Sequence, residues 1–220
     1  MKKAISYGLL TLGGIVMLYP LLWLVGASLK SNGEIFSSVW FVPKNPDFSV
    51  YVRAWQTVTG HTMAHYFFNT FCIIVPKVIF TVLSSVLTAY GFARFDFPFK
   101  RMFYAIFMGA MLMPAIAVIM PTYLMWSKTG LLDTYIPLTV PALFATEGTL
   151  VFMLIQFFKG VPREFDEAAR IDGCGSLRLL VYILVPCIRP AIVSISVFTF
   201  LWTMNDFLTP LLIGQIKTIT

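Results

Sequence analysis

The chain has 220 residues, of which 58% are hydrophobic and only 12% charged, and its mean hydropathy is +0.82. Soluble domains carry about 25% charged residues, so this chain cannot cover a globular surface with polar groups and is predicted to lie largely in lipid. The net charge of +6 comes without a basic run interleaved with aromatic residues, which argues against nucleic acid as a partner.

Cysteine and histidine usage predicts neither a disulfide framework nor a metal site. Cys72, Cys174 and Cys187 are scattered, without the CxxC or Cys/His spacing of a zinc site. His61 and His65 lie four residues apart and could share one face of a helix, but no nearby carboxylate or cysteine completes a ligand set.

The first predicted element is a membrane span, in which Lys2 and Lys3 precede an apolar run from Tyr7 to Leu29. A signal peptide is the alternative, but its apolar core has only about 7–15 residues. Roughly 20 apolar residues suffice to cross a hydrocarbon core of about 30 Å. We therefore predict an N-terminal transmembrane helix within residues 1–29, followed by an extracytoplasmic loop over residues 30–65.

Residues 66–220 are predicted to form a transmembrane core. Its apolar runs predict four further spans, at about residues 67–92, 102–126, 135–158 and 190–213, with a polar loop at residues 159–189 between the last two. Pro114 and Pro121 are expected to kink the third span. The predicted fold class is an all-α integral membrane protein with about five transmembrane helices.

The distribution of Lys and Arg predicts the orientation, because cytoplasmic loops carry the excess of basic residues. One side holds ten of them and the other five, with Lys77 inside a span. The richer side comprises Lys2, Lys3, Arg94, Lys100, Arg101, Lys159, Arg163, Arg170, Arg178 and Arg189. The N-terminus and the loop at residues 159–189 are therefore predicted to be cytoplasmic.

That polar loop is predicted to form two short helices joined by a glycine bend. Pro162 suits the start of a helix, and Asp166 and Arg170 are spaced to pair across one turn. Gly173 suits the left-handed residue that ends a helix. Ser176 could then cap a second helix that runs toward Pro186.

The same loop carries Glu167-Ala168-Ala169, then Gly173, then Ile183-Leu184-Val185-Pro186. This spaced pattern resembles the cytoplasmic coupling motif of ABC importer permeases, which docks onto an ATPase. The family pattern has Leu at the position of Val185, a change that keeps an apolar contact. The resemblance implies that these residues couple to the ATPase: Glu167, Ala168, Ala169, Asp172, Gly173, Ile183 and Pro186.

The resemblance covers nearly the whole chain, and within the ABC permeases it is to carbohydrate importers of the maltose type, in their shorter, six-span subunit. It implies the type I ABC importer transmembrane domain. The family usually has Trp where this chain has Met204, and it continues into a last helix and tail that we expect this chain to lack. The matching segments are Ala89-Tyr90-Gly91-Phe92-Ala93-Arg94, Met113-Pro114, Pro121-Thr122-Tyr123-Leu124, Thr129-Gly130-Leu131-Leu132-Asp133-Thr134, Gln156-Phe157-Phe158, Asn205-Asp206-Phe207 and Pro210-Leu211.

Partners follow from the resemblance. It implies a second permease subunit, ATP-binding ATPase subunits and an extracytoplasmic sugar-binding protein, all at a prokaryotic plasma membrane. The sequence contains no G-x-x-x-x-G-K-[ST] motif, so we expect no catalytic residue and no cofactor here, with ATP and Mg bound by the partner ATPase.

Polar groups inside predicted spans are candidates for the substrate pathway, because burying them in a membrane is costly. Glu147 lies near the middle of the fourth span, and Asn205 and Asp206 lie in the outer half of the fifth. Tyr123 and Trp202, with Trp126, could stack on sugar rings. The alternatives are a structural pairing of Glu147 with Lys77, and aromatic residues that only anchor the membrane interface. The candidate residues of the substrate pathway are therefore Glu147, Asn205, Asp206, Tyr123 and Trp202.

Three other functions compete with the sugar importer. One is an ABC permease for another solute such as glycerol phosphate, and another is an ion-coupled secondary transporter. A membrane enzyme would need a cluster of reactive groups at one depth, whereas the polar groups here are spread over several depths.

Overall fold

The computed structural model describes residues 2–56 and 62–213, and regular structure within them is helical. Helices are what the composition requires, since a backbone surrounded by lipid must satisfy its own hydrogen-bonding groups. The chain divides into two units, residues 1–65 and residues 66–220, and each is described by itself.

The first unit is a long exposed helix followed by a compact polar segment. Helix α1 runs over Lys2–Ala27, continues through Pro20, and is followed by α2 at Asn32–Ser37 and α3 at Ser49–Trp55. The apolar part of α1, Ile5–Ala27, is long enough to cross a membrane and is not buried within the protein. Its apolar surface is therefore free to face lipid or another subunit.

The segment after α1 folds back onto the end of that helix. The Tyr19 hydroxyl donates a hydrogen bond of 2.5 Å to the Val39 carbonyl. Gly26 lies against the backbone carbonyl of Phe41, where a Cβ atom would collide. The buried Lys30 ammonium donates to the carbonyls of Ser38 and Trp40. These contacts close a loop of the first unit without using a hydrophobic core.

Asp47 organises the start of α3. Its carboxylate accepts hydrogen bonds from the Ser49 amide at 2.9 Å and the Ser49 hydroxyl at 2.6 Å, and it pairs with Arg53 at 2.7 Å. The Ser49 and Arg53 donors lower the pKa of Asp47 from 3.8 to about 2. The carboxylate is therefore charged throughout the physiological pH range.

The second unit contains the remaining helices, of which the first starts just before its boundary. Their bounds are α4 Met63–Arg94, α5 Lys100–Met111, α6 Ala115–Thr129, α7 Ile136–Thr139, a 3₁₀ turn at Val140–Phe144, α8 Gly148–Gly160, α9 Glu164–Ile171, α10 Ser176–Leu179, a π-helical turn at Leu180–Leu184, α11 Val185–Cys187, α12 Arg189–Met204 and α13 Leu208–Ile213.

Three helical segments are long and apolar enough to cross a membrane: Ile5–Ala27, Met63–Arg94 and Ile136–Gly160. Two bent helix pairs raise the number to as many as five in the described residues if each pair counts as one span. The upper figure agrees with the five spans predicted from the sequence.

The kink expected in the third span lies at Pro114 and not at Pro121. Helices α5 and α6 meet at 99°, and Pro114 between them is extended, with φ −64° and ψ 132°. Proline lacks an amide hydrogen and disfavours helical geometry in the preceding residue. Helix α5 ends at Met111, and Pro114 is the N-cap of α6. Helix α4 continues through Pro76 and α6 through Pro121, so a proline alone does not fix where a span breaks.

The predicted fifth span is also interrupted. Helix α12 ends at Met204, Asn205 is its C-cap, and the chain resumes helical structure only at Leu208. At its other end, α12 follows Ser176–Cys187 with a bend of 82°. The span is therefore shorter than residues 190–213, and its polar Asn-Asp pair lies in a non-helical break.

The core of the second unit joins α4 and α8 to the polar loop and α12. Small buried residues Ser85, Ala89 and Ala93 form a stripe on α4 at every fourth position, and such a stripe lets helices approach closely within a membrane. The other buried members of this core are Val86, Tyr90, Leu150, Val151, Leu154, Ile155, Phe158, Ala169, Leu179, Leu180, Leu184, Ile188, Ala191 and Ile195. The polar loop is thus part of the core rather than a separate appendage.

Candidate functional site

Helix α9 ends in the glycine bend that the sequence predicted. Gly173 has φ +73°, the left-handed region that glycine adopts without steric cost. The Cys174 amide donates to the Ala169 carbonyl at 2.8 Å, and the Gly173 amide donates to the Arg170 carbonyl at 3.0 Å. These two bonds form a Schellman motif, which fixes the direction in which the chain leaves the helix.

Helix α9 has one face in the core and an opposite face exposed. Asp166 and Ala169 are buried, while four residues spaced i, i+3, i+4 and i+7 are exposed. We call these four the exposed stripe of α9: Glu164, Glu167, Ala168 and Ile171. Ile171 is 86% exposed and lies beside charged residues on this stripe.

The candidate coupling residues divide between these two faces. Glu167, Ala168, Asp172 and Gly173 are exposed, whereas Ala169 is buried among the core residues. Farther along the loop, Ile183 is partly buried against the core and Pro186 is exposed in α11. The motif therefore contains residues that hold the loop in place as well as residues that a partner could touch.

The second half of the loop differs from the sequence expectation. Ser176 is the first residue of α10 rather than its cap; Gly175 is the N-cap and supplies no side-chain hydrogen bond. The helix then passes through a π-helical turn at Leu180–Leu184 before α11. Pro162 also lies outside α9, which begins two residues later at Glu164.

An ion pair fastens α9 to the end of α4. The Arg94 Nε atom lies 3.1 Å from the Asp166 Oδ2 atom, with side-chain exposures of only 6% and 12%. The Arg94 Nε atom makes no hydrogen bond, so the contact with Asp166 is an ion pair without a well-aligned hydrogen bond. The Arg94 Nη2 atom also donates to the Val161 carbonyl at 2.8 Å. The predicted Asp166–Arg170 pairing was wrong, because Asp166 faces inward toward Arg94.

A second contact joins α4 to the loop, where the Tyr90 hydroxyl donates to the Ser176 carbonyl at 3.0 Å. Sequence reasoning noted Tyr90 and Arg94 only as part of a matching segment. Their spacing of four residues, on the same face as Ala89 and Ala93, was the available signal that this end of α4 supports the loop.

A second candidate site is a cavity of about 520 Å³ near the middle of the spans. We call it the mid-span cavity. It lies between α4, α6, α7, the 3₁₀ turn with the residues that lead into α8, and the break between α12 and α13. Its charged lining residues are Lys77, Glu147 and Asp206. Ligand pockets in proteins range over about 300–1,000 Å³, so this cavity is large enough for a small solute.

Both acidic groups of the mid-span cavity lie where a helix is interrupted. Glu147 is the N-cap of α8 and follows Ala145, which has φ +54°. Asp206 lies between α12 and α13, and its Oδ1 atom accepts from the Thr209 amide at 3.0 Å. Irregular backbone at membrane depth is tolerated where it lines a cavity. Glu147 and Lys77 line the same cavity without an ion pair between them in the described contacts.

The remaining pathway candidates lie elsewhere. Asn205 donates from its side-chain amide to the Leu201 carbonyl at 2.7 Å and is exposed. Trp202 is exposed and packs on Phe198 with ring centroids 5.7 Å apart. Tyr123 on α6 is partly buried, and it is its neighbour Thr122 that lines the cavity. Among the metal candidates, His61 lies outside the described residues, and His65 is part of α4.

The fold and this site define a class of protein, a polytopic membrane transport subunit with a rigidly held polar loop. The family described as binding-protein-dependent transport system inner membrane component matches residues 81–219, and the chain belongs to that family. It is therefore a permease subunit, not itself an enzyme, of a transport system whose partners include a binding protein and an ATPase.

Two characterised relatives are similar over almost the whole chain. The diacetylchitobiose uptake system permease protein NgcG of Streptomyces coelicolor is 33% identical over 207 residues, which are 94% of this chain and 68% of that protein. The sn-glycerol-3-phosphate transport system permease protein UgpE of Agrobacterium fabrum is 31% identical over 216 residues, 96% of this chain and 76% of that protein.

A solved structure confirms the fold class. The crystal structure of a bacterial ABC transporter involved in the import of the acidic polysaccharide alginate matches with a TM-score of 0.79. The match has 22% sequence identity and covers 99% of this chain and 75% of that one. The type I ABC importer fold predicted from the coupling pattern is therefore confirmed.

Proposed function

We propose that this chain and a second permease subunit form the membrane pathway of an importer for a sugar or oligosaccharide. ATP and Mg are bound by separate ATPase subunits, and an extracytoplasmic sugar-binding protein delivers the solute. The N-terminus and the α9 loop face the cytoplasm of a prokaryotic cell. The observation that carries this proposal is the exposed stripe of α9, which is held rigidly on the transmembrane core and is open to a partner.

The contacts of the loop explain how force could pass from the ATPase to the spans. An ATPase that grips the exposed stripe pulls on α9, and α9 is joined to α4 by the ion pair between Arg94 and Asp166. The buried face of the loop packs on α8 through Ala169 and the residues of the π-helical turn. Because cores are close-packed and resist deformation, α4, α8 and the loop should move together.

The charge of the mid-span cavity favours a neutral solute. Its lining holds one cation, Lys77, against two carboxylates, Glu147 and Asp206. A phosphate group would meet a net negative charge inside a medium of low dielectric constant, where repulsion is strong. Sugar hydroxyls instead donate and accept hydrogen bonds with all three groups. This balance supports a sugar over glycerol phosphate, although relatives of both kinds are similar to the chain.

The docking proposal is tested by affinity capture from native membranes of the organism that makes the chain. Ile171→Asp places a charge on the exposed stripe without altering the buried face of α9. We expect wild type to retain a co-purifying subunit with a Walker A motif, identified by mass spectrometry, and Ile171→Asp to lose most of it. The matched control is Val39→Asp, which changes a residue 77% exposed in the first unit. Equal capture by all three proteins would contradict the proposal.

The substrate proposal is tested by uptake in cells. Glu147→Gln and Asp206→Asn keep the shape of each side chain, and Asn retains a capping oxygen for the Thr209 amide. We expect each variant to reduce uptake of labelled chito- and malto-oligosaccharides at least about tenfold, because each loses one or two hydrogen bonds from the sugar to a charged acceptor. Capture of the ATPase should be unchanged. Uptake of glycerol 3-phosphate alone, with no oligosaccharide transported, would favour the alternative.

A further inference from the structure

A second, larger cavity lies beside the α9 loop and shares Arg94 and Glu164 with the coupling elements described above. It has a volume of about 820 Å³ and is formed by the end of α4, the start of α5, the end of α8 and the residues that lead into α9. We call it the basic cavity. Its charged lining residues are Arg94, Lys100, Arg101, Lys159 and Arg163, with Asp96 and Glu164.

Three of the five cations already have partners. Arg94 pairs with Asp166, Lys100 donates to Asp96 at 3.1 Å, and the Lys159 ammonium lies 5.8 Å from the centre of the Tyr104 ring. Arg101 and Arg163 are exposed, and their guanidinium groups have no ion pair or hydrogen bond among the contacts of the described residues. Two guanidinium groups are therefore free on the rim, each able to bind a phosphate through a pair of hydrogen bonds.

The cavity changes from charged to apolar along the helices that form it. Tyr104 lies four residues beyond Lys100 on α5, and Ile155 lies four residues before Lys159 on α8. At 1.5 Å per residue, these side chains are about 6 Å farther into the span than the cations. Phe92 adds an apolar wall, and the exposed Phe103 of α5 extends the apolar surface outside the cavity. An occupant should therefore be anionic at one end and apolar at the other.

We propose that the basic cavity binds the phosphodiester headgroup of an anionic phospholipid, with Arg101 and Arg163 as the phosphate ligands. Basic pockets between membrane helices on the cytoplasmic side are suited to such headgroups. The acyl chains lie along the apolar surface of α5, and Tyr104 and Lys159 line the space beneath the phosphate. The cytoplasmic position of this rim rests on the proposed function, but the chemistry of the cavity does not.

The position of the cavity gives the lipid a consequence for the permease. The segment that lines it continues through Pro162 and Arg163 directly into α9, and Arg94 contributes to both the cavity and the ion pair with Asp166. A bound headgroup would therefore stabilise the base of the coupling helix. Anionic lipid should raise the protection of α9 amides from hydrogen exchange, and neutral lipid should not.

The test uses the chain purified with its co-purifying subunits in lipid nanodiscs. Native mass spectrometry measures retention of phosphatidylglycerol in discs of phosphatidylcholine that contain it. The test variant is Arg101→Gln/Arg163→Gln, and the matched control is Arg178→Gln/Arg189→Gln, which removes two exposed arginines of the same loop outside the cavity. We expect the test variant to bind the lipid about tenfold or more weakly, and the control to bind it as wild type does.

Separate arms distinguish the other occupants. Inorganic phosphate added to pure phosphatidylcholine discs should give no protection of α9; equal protection would show a site for the free anion and overturn the lipid proposal. Unchanged lipid retention in the test variant would also overturn it. Loss of the ATPase subunit with unchanged lipid retention would assign the cations to a protein interface instead. Ile171→Asp separates the two proposals, because it should weaken ATPase capture while lipid retention stays as in wild type.

Discussion

Breaking the ion pair between Arg94 and Asp166 should loosen the coupling helix without unfolding the protein. The pair is nearly buried, and both partners belong to elements that the core holds in place. Arg94→Met leaves the Asp166 carboxylate without its cation and also removes the hydrogen bond to the Val161 carbonyl. Asp166→Leu leaves the Arg94 guanidinium charged but still bonded to Val161. The Arg94 substitution should therefore have the larger effect.

The magnitudes follow from the burial of the pair. Removing one partner of a buried ion pair costs about 3 kcal/mol, because the other charge is left uncompensated. The lost hydrogen bond to Val161 adds about 1 kcal/mol for Arg94→Met. Amide exchange through local opening reports the free energy of that opening. The α9 amides of Asp166→Leu should therefore exchange about a hundredfold faster than those of wild type. Those of Arg94→Met should exchange about fivefold faster than those of Asp166→Leu.

The double variant Arg94→Met/Asp166→Leu decides whether the two residues act as a pair. It removes both charges and fills the site with apolar groups, so its α9 amides should exchange more slowly than those of either single variant. The assay is hydrogen–deuterium exchange of the purified protein followed by mass spectrometry. The reasoning would be refuted if the change in the free energy of opening of α9 in the double variant equalled the sum of the changes in the two single variants. Asp96→Asn is the control: it breaks an i, i+4 pair with an aspartate that is 86% exposed, and it should change α9 exchange by less than about threefold.

Three further predictions concern the bend, the loop of the first unit and its carboxylate. Gly173→Ala should destabilise α9 by about 1–2 kcal/mol, because the φ of +73° at this position is strained for alanine. The control Gly175→Ala, at φ −71°, should not destabilise it, and equal amide exchange of α9 in the two variants would contradict this prediction. Gly26→Ala should expose the loop after α1 to proteolysis because its Cβ meets a backbone carbonyl, while Gly33→Ala, with open space around it, should leave the digestion rate unchanged. Asp47 has a pKa lowered to about 2, so its contribution to local stability is full above pH 3.8 and is lost as the pH falls through about 2; a carboxyl titration midpoint near 3.8 by carbon-13 NMR would disprove this.

The sequence predicted the features that depend on local chemistry. Long apolar runs predict spans because only helices satisfy the backbone in lipid, and α4 matches its predicted span closely. Gly173 was assigned to a left-handed bend from its place after a charged helical turn, and the structure confirms it. The spacing of the coupling motif identified the family, which composition alone could not have done.

The features that the sequence did not predict depend on contacts between distant residues. Asp166 could pair with Arg170 across one turn or with Arg94, 72 positions away along the chain, and only the burial of one face of α9 decides for Arg94. Pro76 and Pro114 both fall inside apolar runs, yet α4 continues through Pro76, whereas Pro114 lies in the break between α5 and α6. The mid-span cavity brings Glu147 and Asp206 together because two helix breaks meet, which periodicity does not reveal.

The central claim is that the exposed stripe of α9 docks an ATPase, and neighbouring alanines test it most directly. Ala168 is exposed, whereas Ala169 is 4% exposed and faces the core. In a chain whose Cys72, Cys174 and Cys187 are replaced by serine, Ala168→Cys and Ala169→Cys would each be treated with a cross-linker in native membranes. We predict a cross-linked product with the ATPase subunit at position 168 and little or none at position 169. Equal cross-linking at both positions, or none at position 168 while the ATPase still co-purifies, would contradict the claim.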